Sequence, residues 1–268
     1  MTIGQGRWGV KAKAPVVVSG SDTDAQTFIA AAVITDTTQR NAINTLVLNF
    51  KSYGIWTKMK AIYPMVGGNA TAHKFNLKDP RDLDAAFRLT FSGGWTHSST
   101  GALPNGATGF ANTFLNDNTT LSLNSSHMAT YLRTNVDGLY CDMGASSSDF
   151  DDTSLFSKYS NRFYPRIHNT NGGITNTISS LGFFMSNRVN ATEIRAFQGN
   201  TLKLITNSSS NKVNVSIYIA AMNRPIGIGF FSPRETAFAS IGDGLTDTEA
   251  GNFYTAVQAF QTTLGRQV

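Results

Sequence analysis

This chain is poor in cysteine, in glutamate and in charge. Cys141 is its single cysteine, which excludes an internal disulfide and any zinc site built on cysteines. Glutamate occurs three times, at Glu193, Glu235 and Glu249. Charged residues are 15% of the chain, against about 25% in an average globular protein. No run of 18 apolar residues occurs, so no membrane-spanning helix is expected. The opening stretch MTIGQGRWGVKAKAPVVVSG has no apolar core of a signal peptide and no cleavage signature. The expectation is a protein made in the cytoplasm of a host cell and released by a route other than classical secretion, as a virus particle is released by lysis. The shortage of Ala, Glu, Lys and Leu patterning argues against a helical bundle, and 11% aromatic content argues against disorder.

The formal net charge of +5 is mild for 268 residues and fits an ordinary solvated surface. A nucleic-acid partner would want clustered Lys and Arg on one face. The one cluster is Arg7, Lys11 and Lys13 near the N-terminus, so no nucleic-acid partner is expected.

What the chain does have is 24 Gly, 18 Phe, 8 Tyr and abundant Ser, Thr and Asn, the composition of many short strands joined by turns. Residues 1–20 read as an extended arm carrying Trp8 and Pro15-Val-Val-Val18. Residues 22–54 read as helical. Asp22 or Asp24 can cap a first helix, and Thr35 or Asp36 a second, in which Ile43, Leu46, Val47 and Phe50 form one apolar stripe before a stop at Gly54. Strand-like segments follow: the stretch from Trp56 to Tyr63, then 86–91, 109–115, 120–123, 129–134, 139–143, 163–167, 180–185, 193–197, 201–206, 213–221, 227–231 and 238–241. Turn formers separate them. Thr246-Asp-Thr-Glu249 is a capping box that starts a closing helix with Phe253, Val257, Phe260 and Leu264 on one face. The pattern predicts an antiparallel β-sandwich or jelly roll, its strands burying one face, with an α-helix near each end: an arm at 1–20 and one sandwich at 21–268, with helical segments at 22–54 and 246–264.

Several motifs invite a chemical reading. Gly4-Gln-Gly-Arg-Trp-Gly9 matches a dinucleotide fingerprint in letters only, because no strand precedes it and no helix follows. His73, His97, His127 and His168 share no metal-ligand spacing, and Cys141 has no activating neighbour in sequence. Glycoside hydrolysis needs two facing carboxylates. Glu249 is used by the capping box, and Glu193 and Glu235 are distant in sequence, so no catalytic residues are expected. The cluster Asp149, Asp151 and Asp152 reads either as a calcium site of hard oxygen ligands or as a solvated loop. No other cofactor is expected. For a sugar ligand the first candidates are Trp95 and His97, which follow the Gly93-Gly94 turn at a sandwich edge. The same three aspartates come second. The alternative is that Trp95 packs in the core.

Two stretches carry a resemblance. Ile194-Arg-Ala-Phe-Gln-Gly-Asn-Thr-Leu202 with Val215-Ser-Ile-Tyr-Ile-Ala-Ala-Met-Asn223 resembles paired strands of laminin G-like and concanavalin A-like domains, as does Leu121–Asn135. Ile55–Gly68, Lys74–Asp82 and Phe238–Ala250 resemble segments of laminin G-like proteins of tailed bacteriophages. The resemblance spans roughly residues 22–268. It implies a concanavalin A-like fold and a non-enzymatic virion component of tail, fibre or head decoration type. Its expected partners are other virion proteins, further copies of itself in a homo-oligomer, and a host surface glycan. Arg7, Trp8, Lys11 and Lys13 are the expected assembly arm. A glycan-cleaving enzyme on the same fold and a purely structural virion protein are the competing readings.

Overall fold

The computed structural model describes residues 20–147, 152–169 and 175–268. Two helices come first, α1 (Thr23–Ala31) and α2 (Thr37–Ser52). The Asp22 side chain accepts from the Asp24 and Ala25 amides, the Asp36 side chain accepts from Gln39, and Gly54 takes φ 73° just beyond α2. These caps satisfy first-turn donors that would otherwise lack partners.

The strands are β1 (Met59–Tyr63), β2 (Thr90–Ser92), β3 (Trp95–Ser98), β4 (Gly101–Pro104), β5 (Phe110–Asn116), β6 (Ser126–Leu132), β7 (Met143–Ser146) and β8 (Asp152–Tyr159). They continue with β9 (Arg162–Asn169), β10 (Thr175–Asn176), β11 (Gly182–Arg188), β12 (Glu193–Gln198), β13 (Thr201–Thr206), β14 (Ser216–Ile219), β15 (Met222–Asn223) and β16 (Thr236–Gly242). Two single-turn helices, α3 (Ala70–His73) and α4 (Asp117–Thr120), interrupt them, and α5 (Asp247–Thr263) closes the chain. At its start the Thr246 side chain and the Glu249 carboxylate bond each other's backbone N–H, and Lys58 reaches Glu249 at 2.6 Å.

The strands form two eight-stranded sheets. The first runs β13-β12-β11-β6-β16-β4-β3. The edge of β16 away from β6 is shared: Thr236 pairs with Ala102 of β4, and residues 239–242 pair with β1. The second runs β10-β9-β8-β7-β14-β5-β2, with β15 lying parallel beside β7. All other named strand pairs are antiparallel, so the architecture is the predicted β-sandwich.

Two apolar layers hold it together. Between the sheets, Met128, Phe184 and Ile241 of the first meet Leu155, Phe163 and Ile219 of the second. On the other side of the first sheet, Leu46 and Phe50 of α2 and Phe253 and Phe260 of α5 pack on Tyr131, Phe183 and Phe238. The helices therefore form a third layer. This corrects the expectation that the strands bury one face. The centre of the first sheet is covered on both sides, where β6, β11 and β16 are buried at every position, while its end strand β13 is largely exposed. Strand β5 of the second sheet alternates half-buried and buried, as a strand with one solvated face should.

Other departures have local causes. Residues 120–123 and 227–231 form no named strand. The first segment leaves the turn α4 and the second makes only single bridges, Gly229 to Met222 and Phe231 to Cys141. Of 139–143 only Met143 enters a strand, and of 86–91 only Thr90 and Phe91 do. Strands β3 and β4 went unread because their hairpin is rich in Gly, Ser and Thr and lacks an apolar period. The segment expected to hold an acidic loop becomes strand β8 from Asp152 onward.

Candidate functional site

The second sheet carries a cleft on its outer face. Its floor comes from β8 and β9. Along β9, Phe163 and Pro165 point into the sandwich, while Tyr164 and Arg166 point out. Phe156 and Asp152 of β8 lie beside them. The 222–230 segment and Leu139 form the walls, and the space enclosed is about 290 Å³. That volume is at the small end of small-molecule sites. A minor core of Cys141, Phe156 and Met222 supports it from beneath.

Four aromatic rings, those of Phe156, Tyr159, Tyr164 and Phe230, line the cleft. Tyr159 and Tyr164 have ring centroids 5.9 Å apart, and Phe156 meets Phe230 edge-on at 5.9 Å. Arg166 lies over both Phe156 (5.8 Å) and Tyr164 (5.7 Å), and its Nη1 donates to the Asp152 carboxylate at 2.5 Å. Asp152 is 4% exposed, so this pair is sheltered from water on the carboxylate side. Arg224 stacks over Phe230 at 4.6 Å on the opposite wall. Ring faces next to fixed polar groups suit a ligand with both C–H faces and hydroxyls.

The sequence-derived candidates do not all gather here. Asp152 lines the cleft. Asp149 and Asp151 lie outside the described residues, as do Arg7, Trp8, Lys11 and Lys13. Among the described residues no group of three or more His, Cys, Asp and Glu side chains could hold a metal ion.

Trp95 and His97 sit away from the cleft, on β3 at the edge of the first sheet. They pack against Phe91 of β2, the strand of the second sheet farthest from β9. Trp95 is half-buried against the inter-sheet core, and its Nε1 donates to the Ser92 and Phe110 carbonyls. Its indole N–H is thus already used. His97 lies 2.9 Å from buried His73, nitrogen to nitrogen. Burial, the His97 ring and Arg266 push His73 down to about 3, and burial lowers His97 as well. The pair fastens the sandwich edge.

Two further clusters resemble machinery and are structural. Ser126, His168 and Asp117 stand in the order of a nucleophile, base and acid. Yet the Leu123 carbonyl occupies the ring nitrogen nearest Ser126, at 2.8 Å, and none of the three is exposed. Asp117 also accepts from Thr153 and the Val213 amide, so the cluster ties α4 to β8. Cys141 is fully buried, and burial pushes its thiol well up, which leaves it inert.

Sequence reading missed Phe156, Tyr164, Arg166, Arg224 and Phe230. A signal existed for two of them. Phe163-Tyr164-Pro165-Arg166 alternates faces with period two, so Tyr164 and Arg166 had to share the face opposite Phe163. Nothing local announced that residues 222–230 would fold over that face.

No protein-family model matches the chain. No curated protein matches it. Among solved structures, it is similar to a mutant of Trypanosoma rangeli sialidase displaying trans-sialidase activity, with TM-score 0.54 and 10% identity over 83% of this chain and 39% of that one. It is also similar to the botulinum neurotoxin serotype D binding domain, with TM-score 0.52 and 8% identity over 75% of this chain and 52% of that one. The chain thus spans about half or less of these two structures. At such identities the likeness shows the shared β-sandwich fold.

Proposed function

We propose that the protein is a non-enzymatic component of a phage particle that binds a host surface glycan in the cleft of the second sheet. The observation that carries this reading is the cleft itself, where Tyr159 and Tyr164 stand next to the Arg166–Asp152 pair and Arg224. The rings supply stacking area and the ions supply fixed hydrogen-bonding groups. The resemblance to laminin G-like proteins of tailed phages supports the virion setting.

Hydrolysis of a glycosidic bond takes two carboxylates roughly 5–10 Å apart across the bond. The described lining of the cleft offers Asp152, already paired with Arg166. Glu193 pairs with Arg195, Glu235 accepts from Thr100 and Arg133, and Glu249 caps α5. These engagements favour binding over cleavage.

Tyr164→Ala is expected to weaken binding of the recognised host polysaccharide by about fivefold, the loss of one ring contact of roughly 1 kcal/mol. Trp95→Ala, if folded, leaves binding unchanged. Calorimetric titration of purified host polysaccharide measures both. Equal binding by parent and Tyr164→Ala moves the site elsewhere, and new reducing ends on incubation establish a glycan-cleaving enzyme instead.

The arm expectation belongs to the same proposal. Deleting residues 1–20 leaves the melting transition of the sandwich in place and lowers incorporation of the protein into particles, read by quantitative mass spectrometry of purified virions. Unchanged incorporation removes the arm from assembly.

A further inference from the structure

The position of Arg224 says more about the ligand. Its Nε donates to the Gly227 carbonyl at 3.2 Å, and its guanidinium carbon lies over the Phe230 ring, 4.6 Å from the centroid. Beneath it is Gly229. A Cβ there would stand 2.2 Å from Nη2 and 2.9 Å from Cζ, so the arginine occupies the space a side chain would need. A hydrogen bond and a ring contact therefore place this half-buried cation on the cleft wall, in space that the missing side chain of Gly229 leaves open. Among the described residues no carboxylate pairs with it, and its two terminal nitrogens make no hydrogen bond there. Arg166, across the cleft, has its partner in Asp152.

A guanidinium held through Nε and a ring face, with both terminal nitrogens uncommitted, presents a planar fork. That fork matches a carboxylate bidentately, and the hydrogen bond and ring contact that already orient it reduce the entropy lost on binding. We infer that the cleft selects a carboxylate-bearing sugar, its carboxylate held by Arg224 and its ring face laid on Tyr159 and Tyr164. This rests on the glycan-binding reading above and adds the ligand's chemical class.

The test compares matched acidic and neutral probes by calorimetry: trigalacturonate against galactotriose, and N-acetylneuraminyl-lactose against lactose. The two acidic probes separate a uronate from a nonulosonate source. The parent protein is expected to prefer at least one acidic probe over its neutral match by about tenfold or more, as one charge-assisted bidentate contact implies. Arg224→Gln abolishes that preference. Gly229→Ala, whose backbone is not in the left-handed region, also reduces it while leaving Arg224 in the chain. Each variant is checked for an unchanged melting transition. Equal affinity for acidic and neutral probes, or a preference that survives Arg224→Gln, overturns the inference and leaves glycan binding standing. A preference that survives Gly229→Ala overturns the locking of Arg224. No binding of any saccharide by the parent overturns both the inference and the glycan reading.

Discussion

Lowering the pH from 7 to 5 is expected to cost this protein about 4 kcal/mol of stability through two histidines. His73 is 1% exposed and His127 is fully buried. Burial, with His97 and Arg266 nearby, pushes His73 down to about 3. Burial pushes His127 down to about 4, against the opposing effect of its 2.7 Å contact with the Asp243 carbonyl. The unfolded chain takes up protons on both near the ordinary value of about 6.5. The unfolded state therefore binds more protons below that value, and stability falls as pH falls. Each histidine contributes its full stabilisation above roughly pH 6.5 and loses it progressively down to its folded value. At pH 5 the loss is about 2 kcal/mol per group. Urea denaturation between pH 7.5 and 5 measures it. The variant His73→Gln/His127→Gln begins less stable but shows a flatter pH slope over that window. A slope equal to the parent's refutes the assignment.

The largest single-residue effect is expected at Arg234. It has no solvent exposure, and it donates to both oxygens of equally buried Asp142 at 2.9 and 3.1 Å. It also donates to the carbonyls of Val136, Tyr140 and Lys158. Asp142 accepts in addition from Ser232 and the Ser157 amide. Arg234→Met leaves a carboxylate and three carbonyls buried without this donor, a loss of about 3–5 kcal/mol. Arg234→Met/Asp142→Asn loses less than Arg234→Met alone, because the uncompensated charge is gone. Chemical denaturation of the parent, both single variants and the double completes the cycle, and additive losses contradict the pairing. The network bears on the cleft as well, since it holds the 136–142 segment that carries Leu139 and Cys141. Arg234→Met is therefore expected to weaken ligand binding even where the protein remains folded.

Sequence alone determined what short-range physics decides. Asp22, Asp36 and the Thr246–Glu249 box mark helix starts because a side-chain oxygen can reach only the next few amides. Gly54 and Gly265 mark helix ends because each takes the left-handed conformation that glycine adopts without strain. The stripe from Ile43 to Phe50 and the face from Phe253 to Phe260 were legible because a helix repeats every 3.6 residues. The β character of the rest followed from its composition and turns. Tertiary structure decided the pairing. Strand β6 lies between β11 and β16, whose paired residues are 50–62 and 104–115 positions away in sequence, and no local rule selects such partners. It also decided that the helices would roof the first sheet, so that its central strands are buried on both faces while the second sheet carries the cleft on its outer face. The candidate site was the least legible part. Of its principal residues only Asp152 was anticipated, as a second-choice ligand contact or a calcium ligand. Tyr164, Phe156 and Arg224 are unremarkable in sequence. They become a site when β8, β9 and the 222–230 segment, joined through long-range contacts, bring ring faces and two arginines around one small volume.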